Sequence, residues 1–320
     1  MIKNLEIRNF KSIKHLELDC KKINLFIGEP NTGKSNILEA LGILSFNLQT
    51  KIEDLVRFER MSNLFYDENL DDEIKIKADE GIFGMCFEQG LFKGEYHEND
   101  PRRFNFNYDY NGRHDAGSSG DSSPIKFYKF TVRRDFPENE SDSLLPPFGA
   151  NLLSVLMTHK DLKKMAARIF EPYGLRIVFK PQENKIDILK LQEDVIISYP
   201  YSLASDTLQR IIFYLAAIGS NENSVLIFEE PESNSFPYHT KHLGERIAFD
   251  ETNQYFIATH NPYLLLSILE KARKGEVAVF ITYFEDYQTK VKCLTDEQLS
   301  ELMDGGYDPF FNLDSFIEEE

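Results

Sequence analysis

The sequence predicts an α/β fold: a mostly parallel sheet with an N-terminal β-hairpin region and an inserted α+β segment. Three observations carry that reading. Short apolar runs at 23–27, 224–228, 254–258 and 276–281 alternate with segments whose apolar residues recur at helical spacing. The first run leads straight into a glycine-bounded turn and a helix. Between the two α/β halves the composition changes, and residues 50–123 are acidic, aromatic and rich in Asn and Gly.

Taken in order, Ile2, Leu5 and Ile7, then Leu16 and Leu18, alternate with period two around a turn at 9–12, which predicts two strands. Ile23 to Ile27 reads as a third, buried strand that stops at Gly28. Ile37, Leu38, Leu41 and Leu44 lie on one face of a helix. Residues 83–110 read as irregular strands and turns. Residues 112–124, GRHDAGSSGDSSP, read as a mobile loop, because that composition cannot bury enough apolar area to order itself. A strand is expected over 125–134, a helix over 151–170, and two strands near 175–179 and 186–189. From 206 the alternation resumes with a helix carrying Leu208, Ile211, Ile212, Leu215 and Ile218. The expected organisation is a core of residues 1–49 and 199–320, with 50–198 as an inserted lobe.

The 320 residues, 42% hydrophobic and 28% charged, exclude whole-chain disorder, collagen and a long coiled coil. A net charge of −17 argues against coating by nucleic acid, while leaving room for a local basic patch. Cys20, Cys86 and Cys293 stand far apart without a C-x-x-C pair, which fits a reducing compartment and no zinc site. No apolar run is long enough to span a membrane, and the first residues lack the apolar core of a signal peptide, so a cytoplasmic location is expected.

Residues 28–35 match G-x-x-x-x-G-K-[ST], with an apolar strand before and an amphipathic helix after. Glycines let backbone N–H groups curl around phosphate oxygens, and the helix N-terminus adds its dipole. The candidate nucleotide-binding set is Gly28, Glu29, Pro30, Asn31, Thr32, Gly33, Lys34, Ser35 and Asn36. Lys34 is placed to reach the β- and γ-phosphates of ATP, and Ser35 to offer its hydroxyl to Mg²⁺. A second strand ends in Glu229-Glu230-Pro231-Glu232, acids at the edge where open α/β sheets bind ligands. Such close carboxylates need a compensating cation, which Mg²⁺ with ATP would supply. A third strand ends in Thr259-His260-Asn261-Pro262, where His260 could bond a γ-phosphate or orient a water.

Together with the opening Ile7-Arg8-Asn9-Phe10-Lys11-Ser12-Ile13, these motifs resemble the ABC-type ATPases of the RecF/SMC/OLD group, as an OLD-like ATPase lacking the Toprim nuclease domain. The resemblance covers about residues 1–48 and 144–282, including LLPPFGANLLSVL at 144–156. It implies a P-loop NTPase with an ABC-type head. It further implies Mg²⁺ held by Ser35 and Glu229, Glu230 as general base, His260 as γ-phosphate sensor and Arg8 near the nucleotide. In such ATPases two heads sandwich ATP, and a signature loop of one caps the nucleotide of the other. Residues 203–209 resemble that loop, with Ser205 as its donor, but they lack the glycines of Leu-Ser-Gly-Gly-Gln. The D-loop, residues 233–237, lacks the histidines common in OLD-like chains, and the first Walker B acid is Glu rather than Asp. Gln49 is the candidate Q-loop residue. The insertion holds no heptad run for long coiled coils. The implied function is a Mg²⁺-dependent, ATP-driven homodimeric switch for a separate effector protein, of the kind found in prokaryotic phage-defence systems. The alternative is a RecF-like DNA-binding repair ATPase using Arg102-Arg103, Arg133-Arg134, Lys160 and Lys163-Lys164. A binding module with a decayed site is disfavoured by the intact Lys34, Glu229 and Glu230.

Overall fold

The chain opens with an antiparallel hairpin, β1 (Asn4–Phe10) and β2 (Ile13–Asp19), and enters β3 (Ile23–Gly28), which is buried at every position. The computed structural model describes residues 1–46, 50–98, 102–119, 123–140, 142–304, 310 and 313–318. Helix α1 (Lys34–Ile43) and the short α2 (Ile52–Leu55) follow. Then come the antiparallel strands β4 (Ile74–Ala78), β5 (Gly81–Glu88), β6 (Leu91–Glu98), β7 (Arg102–Tyr108) and β8 (His114–Ser119), and after them β9 (Ile125–Tyr128). Helices α3 (Leu152–Thr158) and α4 (Lys160–Phe170) lead to a meander of β10 (Leu175–Lys180), β11 (Lys185–Gln192) and β12 (Val195–Pro200). The alternating part comprises α5 (Asp206–Ser220), β13 (Val225–Glu229), α6 (Pro237–Phe249), β14 (Gln254–Ala258), α7 (Pro262–Lys271) and β15 (Val277–Glu285). It closes with β16 (Gln288–Cys293), α8 (Asp296–Asp304) and α9 (Leu313–Glu318).

The central sheet has the order β16-β15-β3-β14-β13-β9, parallel except for β16 at one edge. Its strands are covered on both faces, which is why they read as continuous apolar runs. Side-chain alternation divides each strand between two cores. Ile23, Leu25 and Ile27 of β3 join Leu226, Phe228, Tyr255 and Ile257 beneath the helices α3 to α7. Phe26 joins Ile227, Phe256 and Phe280 on the opposite face, stacking on Phe280 at 5.2 Å between ring centres.

That opposite face is covered by α1 and by a seven-stranded antiparallel sheet, β2-β1-β4-β5-β6-β7-β8. Residues 50–198 therefore do not stand apart as one lobe. Strands β4 to β8 extend the sheet begun by the hairpin, β9 is an edge strand of the central sheet, and α3, α4 and β11 feed the helical core. The physical reason is one-sided alternation. Ile74, Ile76, Phe83, Met85, Phe104 and Phe106 form an apolar face that is buried against α1, the central strands and the segment after α1, where Phe46 packs on Phe104 and Phe106. The described part of 83–110 forms the paired strands β5, β6 and β7, with register shifts at Tyr96/His97 and Asn107/Tyr108, rather than irregular strands; residues 99–101 lie outside the described residues. Within the expected loop at 112–124, residues 114–119 form β8, whose backbone pairs with β7; residues 120–122 lie outside the described residues. The expected helix at 151–170 is broken at His159, whose backbone is extended. Among the described residues no helix is long and apolar enough to cross a membrane.

Candidate active site

The loop after β3 is shaped by two glycines. Gly28 has φ 149° and Gly33 φ 96°, and a Cβ on either would overlap Thr282 or Thr289. These threonines belong to β15 and β16, so the far strands set the floor of the loop. Thr32 donates to the Glu29 carbonyl at 2.8 Å and meets the Thr282 hydroxyl at 2.7 Å. Gly33 caps α1, and Lys34 is its first residue. The Lys34 ammonium is nearly buried and donates to the carbonyls of Gly28 (2.8 Å) and Glu29 (2.6 Å). Burial lowers its pKa to about 8, against the opposing pull of Glu230 and Glu29. Ser35 follows in the first turn of α1, half-buried, while Glu29, Pro30 and Asn31 are exposed at the tip.

Glu229 ends β13, and Glu230 follows it in the turn; the two face different partners. Glu230 takes a left-handed backbone, φ 43°, and its N–H donates to the Ala258 carbonyl of β14 at 2.9 Å. Its carboxylate accepts from the Ser233 hydroxyl at 2.9 Å and lies 3.5 Å from His260 Nε2. Burial and the nearby Lys34 lower the His260 pKa, so the imidazole is neutral at pH 7 and can accept or donate a hydrogen bond. Lys34, Glu230 and His260 thus lie near one another.

Glu229 instead lies 3.6 Å from the Arg57 guanidinium. Arg57 also donates to Glu39 Oε1 at 2.6 Å, and Lys11 donates to Glu39 Oε2 at 2.5 Å. Glu39 sits fully buried on α1 amid Ile37, Leu38, Ala40 and Leu41. Lys129 bonds the Leu55 carbonyl at 3.0 Å, and its pKa is lowered by burial against the attraction of Glu39 and Glu229. One side-chain cation, Arg57, therefore faces the acid that the resemblance assigns to Mg²⁺. The donor set still suits a hard cation, a hydroxyl and a carboxylate, both oxygen.

Several candidates are not gathered here. Arg8 lies on β1, half exposed, and pairs with Glu6; His15 on the other strand of the hairpin lies against both Glu6 and Glu17. Lys11, whose backbone is left-handed (φ 51°), instead reaches α1 and bonds Glu39. Asn36 donates to the Ser12 hydroxyl at 2.7 Å, which in turn meets Thr289. It therefore fastens the hairpin turn beside the loop. Ser205 is the exposed N-cap residue of α5, and its neighbour Thr207 donates to the Asn234 carbonyl at 2.7 Å, tying the signature-like loop to the turn after β13. Gln49 lies outside the described residues. The sequence reading missed Lys11, Glu39 and Arg57 as a cluster. Its one visible signal was a charged residue, Glu39, inside an otherwise apolar helix face.

Residues 1–130 match the family model of the AAA ATPase domain. No curated protein is similar in sequence. Among solved structures the chain is similar to an SMC head bound to the C-winged helix domain of ScpA, at 16% identity and TM-score 0.57, covering 92% of this chain and 98% of that one. It is also similar to the Pyrococcus furiosus SMC head with an extended coiled coil bound to the C-terminal domain of ScpA, at 12% identity and TM-score 0.51, covering 95% and 98%. The Thermotoga maritima SMC head aligns at 15% identity and TM-score 0.42, covering 92% and 99%. The chain is an ATPase: its residues 1–130 match the AAA ATPase domain model, and its α/β fold is that of a P-loop NTPase, similar to the SMC heads.

Proposed function

We propose that this ATPase is an OLD-like, nucleotide-driven switch: two copies close head to head on MgATP, hydrolysis opens them, and a separate partner protein reads the change. Residues 28–36 cradle the phosphates, with Lys34 as their fixed counter-charge. Mg²⁺ would be held by Ser35 and Glu229 and would neutralise charge between the β- and γ-phosphates. Glu230 takes the proton of the attacking water, and neutral His260 orients the water or the terminal phosphate.

The observation that carries this reading is the placing of Glu230. Its left-handed backbone aims it at His260, and Ser233 of the D-loop holds it there at 2.9 Å. The same turn continues to Phe236, 68% exposed, and is tied through Thr207 to the loop of Leu203, 72% exposed. Large exposed apolar residues beside the turn that carries the base support an interface that forms there. A partner protein is supported by the SMC head solved in complex with ScpA. Three free cysteines support a reducing, cytoplasmic setting. The phage-defence setting rests on the sequence resemblance alone; a neighbouring nuclease, reverse transcriptase or toxin gene is its test. The DNA-binding alternative needs one basic stripe, yet β7, bearing Arg102 and Arg103, and α4, bearing Lys160, Lys163 and Lys164, lie in layers on opposite faces of the central sheet.

Light scattering of Glu230→Gln with and without MgATP tests the switch. The reading expects a monomer without nucleotide and twice that mass with it, because ATP trapped between two heads becomes part of the interface. A variant that binds ATP and stays monomeric would overturn the dimer.

A further inference from the structure

The turn after β13 carries a third acid, Glu232, which the proposed chemistry does not use. Glu229 and Glu230 are half-buried, whereas Glu232 is 4% exposed. Its Oε1 accepts from the Thr259 hydroxyl, and its Oε2 is buried with no partner among the described residues. An interior carboxylate oxygen without a donor is costly, and an apolar side chain would remove the cost. Its placing explains why an acid stands there.

Thr259 is fully buried at the end of β14, and its N–H donates to the Phe26 carbonyl of β3 at 3.1 Å. Its hydroxyl donates to Glu232 and accepts from the Asn261 N–H at 3.0 Å. The two residues flanking His260 are therefore fixed by one hydroxyl, and that hydroxyl is fixed by Glu232. On the other side, the Glu232 carbonyl accepts from the Ser235 N–H at 2.9 Å, and Glu230 is bonded to Ala258. Glu232 thus joins the two turns that bring Glu230 and His260 to 3.5 Å of each other.

We propose that Glu232 is a positioning residue: through the Thr259 hydroxyl it locks the His260 turn against the Glu230 turn and keeps base and histidine in register for hydrolysis. This rests on the reading of Glu230 as base with His260 beside it. Loss of the lock moves the hydrolytic groups without touching the phosphate loop, so it acts on kcat and not on nucleotide affinity. In its charged form Glu232 makes the stronger bond to the hydroxyl, and Gln at this position keeps an acceptor of the same shape.

The test measures kcat and MgATP affinity in the full chain for Glu232→Ala, Glu232→Gln, Thr259→Val, His260→Ala and the Glu232→Ala/His260→Ala pair. With Glu232→Ala and Thr259→Val, kcat falls about tenfold to a hundredfold, the cost of a small misplacement of reacting groups. Affinity stays within about threefold of wild type. Glu232→Gln falls between Ala and wild type, and the double variant is no slower than His260→Ala alone, because Glu232 acts through that histidine. Normal turnover in Thr259→Val, a Gln variant no better than Ala, or losses that multiply in the double variant would overturn the proposal. Should Glu232→Ala fail to fold, Thr259→Val and Glu232→Gln, singly and combined with His260→Ala, decide it. Glu230→Gln separates the two levels: if it hydrolyses normally the base assignment falls and takes this inference with it. If it is inactive while Thr259→Val is normal, only the role of Glu232 falls.

Discussion

Glu229 and Glu230 are the same residue one position apart, yet they stand in different surroundings. Glu229 completes an extended strand and faces Arg57, within a cluster where Lys11 and Arg57 flank the buried Glu39. Glu230 turns the chain at φ 43° and faces His260 and Ser233, with Lys34 close enough to be felt electrostatically. Glu229 is the last residue of β13, and Glu230 leaves the strand through a left-handed turn that redirects the next side chain. A strand end and the turn after it can therefore supply one acid to the cluster holding Arg57 and the next to His260. The lesson is that a pair of adjacent acids need not share a role. Here α1 and the hairpin govern one, and β14 governs the other.

The sharpest way to break that comparison is to remove the cation on the Glu230 side. Lys34→Ala takes away the counter-charge for phosphate and the donor that closes the loop onto Gly28 and Glu29. Calorimetry with MgATP is expected to show no measurable binding; unchanged affinity would remove the loop from the account.

A smaller effect comes from Glu232, and it concerns pH. Burial raises the Glu232 pKa from 4.5 to about 7. Between those values the unfolded chain has released the proton that the folded chain keeps, so stability falls as pH rises through that window and the penalty is complete above it. Glu232→Gln carries no such charge. It is expected to be more stable than wild type above pH 7, by on the order of 3 kcal/mol, with the gain vanishing as pH falls towards 4.5. Denaturant titrations at the two pH values measure it, and a gain independent of pH would contradict it. A residue that costs stability in its charged form fits a role in function.

The smallest effect belongs to the Glu229 side. Arg57→Ala leaves Glu39 with Lys11 alone, but the Arg57 side chain is 64% exposed and its pairing is screened by solvent. The expected loss is about 1 kcal/mol in a denaturant midpoint, with hydrolysis retained. A loss several times larger would mean that Lys11 does not hold Glu39 without help.

What was legible in the sequence was local. Residues 28–35, the acids at 229–230 and His260 each sit in a contiguous strand–turn segment, so their placing follows from a few neighbouring residues. The cluster around Glu39 was not, because Lys11 and Arg57 reach it from a hairpin turn and from beyond α1. Glu232 was hidden for the same reason, since its partner Thr259 is on another strand. The reach of Lys11 to Glu39 was hidden as well, because it leaves the hairpin at a residue with a left-handed backbone, where strand alternation gives no signal. In the seven-stranded sheet some signal was available: Ile74-Lys-Ile-Lys-Ala78 alternates with period two and is buried in that pattern. Strand β8 had no such signal, since backbone pairing with β7 orders a Gly- and Ser-rich segment that side-chain patterning cannot reveal.

The division of labour between the two acids is tested most directly by following ATP hydrolysis in Glu229→Gln and Glu230→Gln across a Mg²⁺ titration, with MgATP affinity measured alongside. Glu230→Gln should bind MgATP as wild type does and hydrolyse it ~10²–10⁴-fold more slowly at every Mg²⁺ concentration, because the general base is gone. Glu229→Gln should need more Mg²⁺ and recover towards the wild-type rate as the concentration rises. Rapid turnover by Glu230→Gln, or the same response to Mg²⁺ in both variants, would contradict the account.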